Sequence, residues 1–536
     1  MTKGIISAPQ PEAVEAGADI LADGGNAIDA AIAAALVQTA VDPQMCGIAG
    51  FGSMHLYMPE TASHQLIDFH GRAPLAATPD MWEDLVVRET EDGFGFILSG
   101  RQNECGYTAA TTPMTLHAFD QALKRFGTRS LGDLLEPAIE YAEEGFLVRP
   151  HVYAFWNLPP IAGRMAYVDL MTKFPATRKI YCNENGELHK VGHKLVNKDL
   201  ARTYRQLQKH GSDDFYHGEL SQQIVADMER HGGLISSQDL ASVSCTDSTP
   251  LRGEYRGYDV ATNRPPGGGI MLVEMLNILE HFDLQGMGHN SANYIATVSE
   301  AMKIATVDKD NHVGDPLFME IPIDRLCAKD SAASYANRIK QGEKTSVPRW
   351  NAGGEESRNT THISVSDSHG NCVSLTHSLG MPSGVVTDGL GFMYNGCMAV
   401  FDPRPGRPGS IAPGKSRFSA MCPTMIFQDG APVLVVGAPG GTYITMGVLQ
   451  VILNVLEFGM TAQEAVSAPR FCTTSDVIDI TNRILRKTER ALESKGYQVR
   501  RSPHSYHFAG VQAIRKNGDE WDGGSDPGRD GMVISV

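Results

Sequence analysis

A polar stretch without apolar periodicity, residues 341–358, runs directly into an alternating strand beginning Thr360-Thr361-His362-Ile363-Ser364-Val365-Ser366-Asp367. It reads as a mobile surface linker, so an accessible backbone point falls deep inside the chain. A chain opened there acquires a new N-terminal threonine, which is a small complete catalyst. Its hydroxyl is the nucleophile, and its freed α-amine takes the hydroxyl proton. This chemistry calls for no cofactor and no metal. It does require the bond between Asn359 and Thr360 to break. Taken alone, a threonine pair at the head of a strand is more commonly there for its β-propensity. The surrounding sequence has to decide between the two.

Composition narrows the field. The 536 residues are 42% hydrophobic and 20% charged, as in ordinary soluble globular proteins. A formal net charge of −16 disfavours nucleic acid or an anionic membrane as the main partner. The most apolar helical run, Ala30 to Val41, is too short to span a bilayer. The opening segment Met1 to Pro11 lacks the apolar core of a signal peptide. Nine scattered cysteines form no Cys-x-x-Cys pair and no Cys/His cluster. Reduced thiols in a cytoplasmic protein are the expectation.

Two helices open the chain, Pro11 to Ala22 and a second capped by Asn26, separated by Gly24-Gly25. Gly47 to Gly52 has the glycines of a phosphate loop but lacks the Gly-Lys-Ser/Thr ending and precedes a strand, which argues against nucleotide binding. Residues 112–310 read as mostly helical, with apolar spacing over Leu131 to Glu144 and Gly269 to His281. After the linker, Ser368-His369-Gly370-Asn371 turns a hairpin. Val433 to Val436, the turn Gly437-Ala438-Pro439-Gly440-Gly441 and a helix from Tyr443 to Phe458 then form a strand–turn–helix unit. Such a turn presents backbone N–H groups at a positively polarised helix start and can stabilise an oxyanion. No Gly-x-Ser-x-Gly elbow supports a Ser-His-Asp hydrolase.

These blocks, in this order, resemble the γ-glutamyltranspeptidase family of N-terminal-nucleophile hydrolases. Thr360-Thr361-His362-x-Ser364-Val365-x-Asp367 with Gly370-Asn371 resembles its processing site. Gly24-Gly25-Asn26-Ala27-x-Asp29-Ala30-Ala31, Pro265-Pro266, Met302-Lys303, Gly314-Asp315-Pro316, Met421-x-Pro423-Thr424, Ala468-Pro469-Arg470-Phe471 and Ser525-Asp526-Pro527 extend the likeness over nearly the whole chain. The resemblance implies an α+β fold, a four-layer αββα sandwich, in which a large chain 1–359 and a small chain 360–536 of one precursor form one intertwined domain. It implies that Thr360 attacks first Asn359 and then a small-molecule amide, forming an acyl-enzyme. It assigns the oxyanion hole to Gly440 and Gly441 and a hydroxyl partner of the nucleophile to Ser378. It leaves a homo-oligomer open.

The same comparison marks departures. The family holds the substrate's α-ammonium with amide and acidic side chains, where this sequence has Gly380, Cys397 and Val400. On the carboxylate side, Arg72 is displaced by two positions, with His70 in the usual place. Ser419 remains from a serine pair whose second member is Ala420, and Arg417 stands close enough to compensate. The expected substrate is therefore a carboxylate-bearing amide without an α-amine, such as an oxamate-like or glutaryl-like compound. The alternatives are a γ-glutamyl hydrolase or transpeptidase, and a catalytically silent scaffold.

Overall fold

The strand Thr361–Asp367 pairs antiparallel with Cys372–Ser378, in a register that sets Thr361 against His377 and Ser364 against Ser374. Strand alternation then divides the hairpin. Ile363, Val365, Val373 and Leu375 join the apolar core beneath the helix Ala27–Val41. His362, Ser364, Ser374 and Thr376 face the other way. Asp367 ties the hairpin to the helix. Its carboxylate accepts the N–H groups of His369 at 2.9 Å and Asn371 at 3.0 Å, the Asn371 side-chain amide at 2.7 Å, and the N–H of Ala27 at 2.9 Å. A negative group thus sits at the positive end of the helix. Asn26 and Asp29 complete that start as a capping box.

The computed structural model describes residues 3–160, 162–349, 360–503 and 508–536. A seven-stranded antiparallel sheet runs Met532–Ser535, Gly4–Ala8, Thr361–Asp367, Cys372–Ser378, Phe51–Met58, Ser63–Phe69, Thr246–Ser248. A six-stranded antiparallel sheet runs Glu520–Ser525, Gln512–Asn517, Ala431–Gly437, Thr424–Gln428, Tyr258–Thr262, Leu251–Tyr255. Each buries its outer face under helices: Ala27–Val41 with Pro11–Ala22 on the first, and Gly269–Leu279 and Tyr443–Leu456 on the second. The four layers form the αββα sandwich that the resemblance implied. Both sheets combine segments from before and after Thr360.

Between the sheets lies a mixed layer. Ile5, Met425, Val435 and Ile514 supply apolar contact. Beside them, Ser364 donates to the Gln512 carbonyl at 3.3 Å, Ser374 to the Val436 carbonyl at 3.1 Å, and Ser7 to the Gln512 side chain at 3.0 Å.

Several local expectations change. The pattern over Leu131 to Glu144 divides into Leu131–Leu134 and Glu136–Glu144, because Pro137 has no N–H to continue the first helix. The segment read as mostly helical also supplies the strands Leu251–Tyr255 and Tyr258–Thr262 at the edge of the second sheet. The linker is anchored as far as it is described. Thr345 N–H donates to Glu300 at 2.7 Å, Val347 N–H to Asp476 at 2.8 Å, and Arg349 pairs with Asp310 at 2.7 Å. Among the described residues, no helix is long and apolar enough to cross a membrane.

Asp367 is the joint between hairpin and helix, and its replacement tests this account. Asp367→Ala strands several buried donors and should cost about 2–4 kcal/mol in urea unfolding. A loss within about 0.5 kcal/mol would show that the joint contributes little.

Candidate active site

Thr360 immediately precedes its strand, and the register that pairs Thr361 with His377 sets it opposite Ser378. Its Oγ1 donates to Ser378 Oγ at 3.2 Å, and Ser378 Oγ accepts the Gly380 N–H at 2.7 Å. Thr360 is 4% exposed and Ser378 fully buried. Asn359, the expected cleavage partner, lies outside the described residues.

The second sheet brings up the glycine turn. The strand Ala431–Gly437 ends at the turn, and the helix Tyr443–Leu456 begins just after it. Gly440 and Gly441 have φ of 145° and 56°, a backbone that side chains rarely adopt. Among the described residues, neither of their N–H groups is engaged by a protein acceptor. The two strands are held together by an imidazole: a Cβ on Gly437 would lie 2.1 Å from His362 Cε1, so only glycine fits. The His362 ring sits 2.7 Å from Thr376 Oγ1 and 3.1 Å from Ser364 Oγ. Burial, with a smaller effect of His377, pushes its pKa down to about 3, and burial does the same to His377.

Thr360, Gly441, Ser419 and Arg417 meet around a narrow crevice of about 20 Å³, with Phe51, Phe94, Arg164, Gly380 and Val400 also in its wall. Arg417 is 3% exposed. It donates to the Phe418 carbonyl at 2.8 Å and packs its guanidinium over the rings of Phe51 at 4.8 Å and Phe94 at 5.3 Å. Its Nε has no partner, and among the described residues no carboxylate pairs with it. Arg164 differs: Asp92 holds it at 2.6 and 3.0 Å, and it donates to the Phe94 carbonyl at 2.8 Å, which fixes the Phe94 loop at the crevice.

The expected roles of Arg72 and His70 do not match their placement. The Arg72 backbone bridges Thr112 and Ser416, and its guanidinium turns to the Ser244 carbonyl at 3.1 Å. His70 is buried with its Nδ1 on Asp68, and its ring centroid lies 6.3 Å from that of Phe51. Neither lines the crevice. Sequence reasoning missed Phe51, Phe94 and Arg164. Phe51 carried a local signal as the first residue after a glycine-rich turn, whereas the other two carried none.

A threonine-headed hairpin and a glycine turn, brought to one crevice in an αββα sandwich, have the arrangement of an N-terminal-nucleophile amide hydrolase. Residues 13–536 match the family model for gamma-glutamyltranspeptidase, and the chain belongs to that family. It is 36% identical over 528 residues to an acylase ACY 1 proenzyme of Pseudomonas sp. (strain SE83), covering 97% of this chain and 90% of that protein. It is 33% identical over 515 residues to a glutathione hydrolase proenzyme of Escherichia coli (strain K12), covering 93% and 86%. Cephalosporin acylase from Bacillus halodurans superposes with a TM-score of 0.88 at 28% identity, over 99% of this chain and 96% of that one.

The buried histidines set a pH dependence. Their folded pKa values lie below the usual 6.5, so the unfolded chain binds protons first as pH falls. Their contribution is complete above about pH 6.5 and is lost toward pH 3. Between pH 7.5 and 5, each should remove about 2 kcal/mol from the unfolding free energy. His377→Gln should give a shallower slope than the parent, and an identical slope in urea titrations would refute the assignment.

Proposed function

We propose that Thr360 is the nucleophile of an autoprocessing amidohydrolase whose substrate carries a carboxylate, and no α-ammonium, on its acyl part. Maturation follows attack of Thr360 Oγ on the Asn359 carbonyl: the C–N bond breaks as an ester forms and the α-amine is freed, and water then hydrolyses the ester, giving chains 1–359 and 360–536. In turnover, the freed α-amine takes the Oγ proton as the oxygen bonds to the substrate carbonyl carbon. The Gly440 and Gly441 N–H groups stabilise the oxyanion. The proton passes to the departing nitrogen as the C–N bond breaks, leaving an ester on Thr360. Water then adds to the ester, and its cleavage restores the threonine. Ser378 holds the Thr360 hydroxyl in place before the attack. The nine cysteines form no disulfide among the described residues, which suits a reducing, cytoplasmic setting.

The observation that carries the substrate reading is the charge of the crevice. Its described lining holds two arginines and no acid; Asp92 neutralises Arg164, and among the described residues no carboxylate pairs with Arg417. An ammonium placed there would be buried without a counter-ion beside a guanidinium, a cost of several kcal/mol. A carboxylate meets ready donors in a low-dielectric wall. The relatives and neighbour named as acylases support this reading. Identity to the glutathione hydrolase proenzyme of E. coli favours γ-glutamyl hydrolysis instead, and a substrate panel separates the two.

Turnover of oxamate and glutaryl-p-nitroanilide should exceed that of γ-glutamyl-p-nitroanilide. Rapid γ-glutamyl turnover with the others inert would sink the proposal. Thr360→Ala should remain a single band on a denaturing gel and show no activity. Arg417→Met should lower kcat/KM for the glutaryl substrate by roughly 100-fold, the loss of one buried charged hydrogen-bonding partner. The same change removes an uncompensated buried charge, so its melting temperature should hold or rise.

A further inference from the structure

The helix Ala27–Val41 is apolar from Ala30 onward except at Gln38 and Thr39, and Gln38 is fully buried. A primary amide in such a place costs free energy unless its polar atoms are answered. Here they are. Gln38 Nε2 donates to Thr361 Oγ1 at 2.9 Å and to Gln10 Oε1 at 2.6 Å. Gln38 Oε1 lies 2.8 Å from His377 Nε2. Thr361 Oγ1 donates to Gln10 Oε1 at 3.1 Å, and Gln10 Nε2 donates to Asp42 at 2.8 Å. All five side chains are buried. The Asp42 carboxylate sets the direction of this chain. It draws the Gln10 amine toward itself, which points the Gln10 oxygen at the Gln38 amine and leaves the Gln38 oxygen to accept from His377.

Thr361 and His377 face each other across the hairpin. They are the chain neighbours of Thr360 and Ser378, whose hydroxyls meet at 3.2 Å on the opposite face of the sheet. A single helix side chain thus grips both residues that adjoin the reacting pair, from the face away from the crevice.

We propose that Gln38 is a positioning residue: a clamp on the Thr361–His377 rung that keeps the Thr360 hydroxyl on Ser378 once the chain is cut. The inference rests on Thr360 being the nucleophile, and holds whichever amide it cuts. Before cleavage the backbone tethers Thr360 on both sides. Afterwards Thr360 is the first residue of its chain, and chain ends fray unless they are tied down. The ladder starts at Thr361, so the new end hangs from that first rung. Gln38 ties both side chains of the rung to the helix and does so without the lost peptide bond. A displacement of about 1 Å at a reacting atom can cost about 100-fold in rate, so the clamp acts on kcat and leaves substrate affinity alone.

The test turns on the Thr361 hydroxyl. Thr361→Val keeps the shape and removes the hydroxyl, whereas Thr361→Ser keeps the hydroxyl and removes a methyl group. The clamp requires Thr361→Ser to keep kcat within about twofold and Thr361→Val to lose about tenfold, with KM within about twofold of the parent in both. Packing alone requires the reverse order. Gln38→Met should lose at least as much as Thr361→Val, and adding Thr361→Val to it should cost nothing more, because both remove one contact. Should Gln38→Met not fold, the Thr361 pair decides alone. Rates are taken per processed chain with glutaryl-p-nitroanilide, or with γ-glutamyl-p-nitroanilide if the parent turns over only that. Self-cleavage, followed on a denaturing gel, should fall less than kcat, since the upstream chain still holds Thr360. Full activity in Thr361→Val would overturn the proposal, as would an equal or greater loss in Thr361→Ser or a rise in KM at unchanged kcat. A Thr361→Val chain that never cuts itself would place the role before cleavage and overturn it too. A parent that stays a single chain refutes the nucleophile reading itself, a distinct failure.

Discussion

A close approach between the two sheets, His362 against Gly437, fixes the distance on which the site depends. Sheets packed face to face normally stand about 10 Å apart, separated by side chains from both. Here one sheet contributes an imidazole and the other no side chain at all. The strand beginning just after Thr360 and the strand leading into Gly440 and Gly441 are thereby held in register across the interlayer. Hydrogen bonds from Ser364 and Ser374 to carbonyls of the opposite sheet fix the same alignment. In a low-dielectric layer these bonds are strong when made and costly when broken, which favours a single alignment. The His362 ring is neutral there, so it acts as a hydrogen-bonding spacer and adds no charge beside Thr360.

What the sequence disclosed follows from what is local. The hairpin turn, the glycine turn and the Asn26 cap each depend on residues within a few positions, and all three were legible. Pairing of Gly4–Ala8 between Met532–Ser535 and Thr361–Asp367 depends on residues hundreds of positions apart, and nothing local marks it. Arg72 shows the limit of ordered blocks. Its position along the chain was clear, yet two backbone bridges decide which way its guanidinium turns. Residues 341–349 lack apolar periodicity because distant acids, Glu300, Asp310 and Asp476, anchor them in place of core packing.

The crevice couples position 380 to Arg417. Gly380 has φ of 70°, and a Cβ there would lie 2.6 Å from Cys397 Sγ and 3.3 Å from Arg417 Nη2. A side chain at position 380 and the Arg417 guanidinium therefore compete for one space. The resemblance placed an asparagine at this position in ammonium-binding relatives, and glycine is what makes room for the arginine. The change is coupled: restoring a polar side chain at 380 alone would meet the guanidinium before it met any substrate. The aromatic faces of Phe51 and Phe94 offset part of the cost of burying that cation, and one backbone carbonyl offsets more. The remainder is a charge held without a counter-ion, among the described residues, at the wall of the Thr360 crevice. On the proposed reading a substrate carboxylate would supply the counter-ion, and the energy that burial withholds from the fold would be recovered on binding.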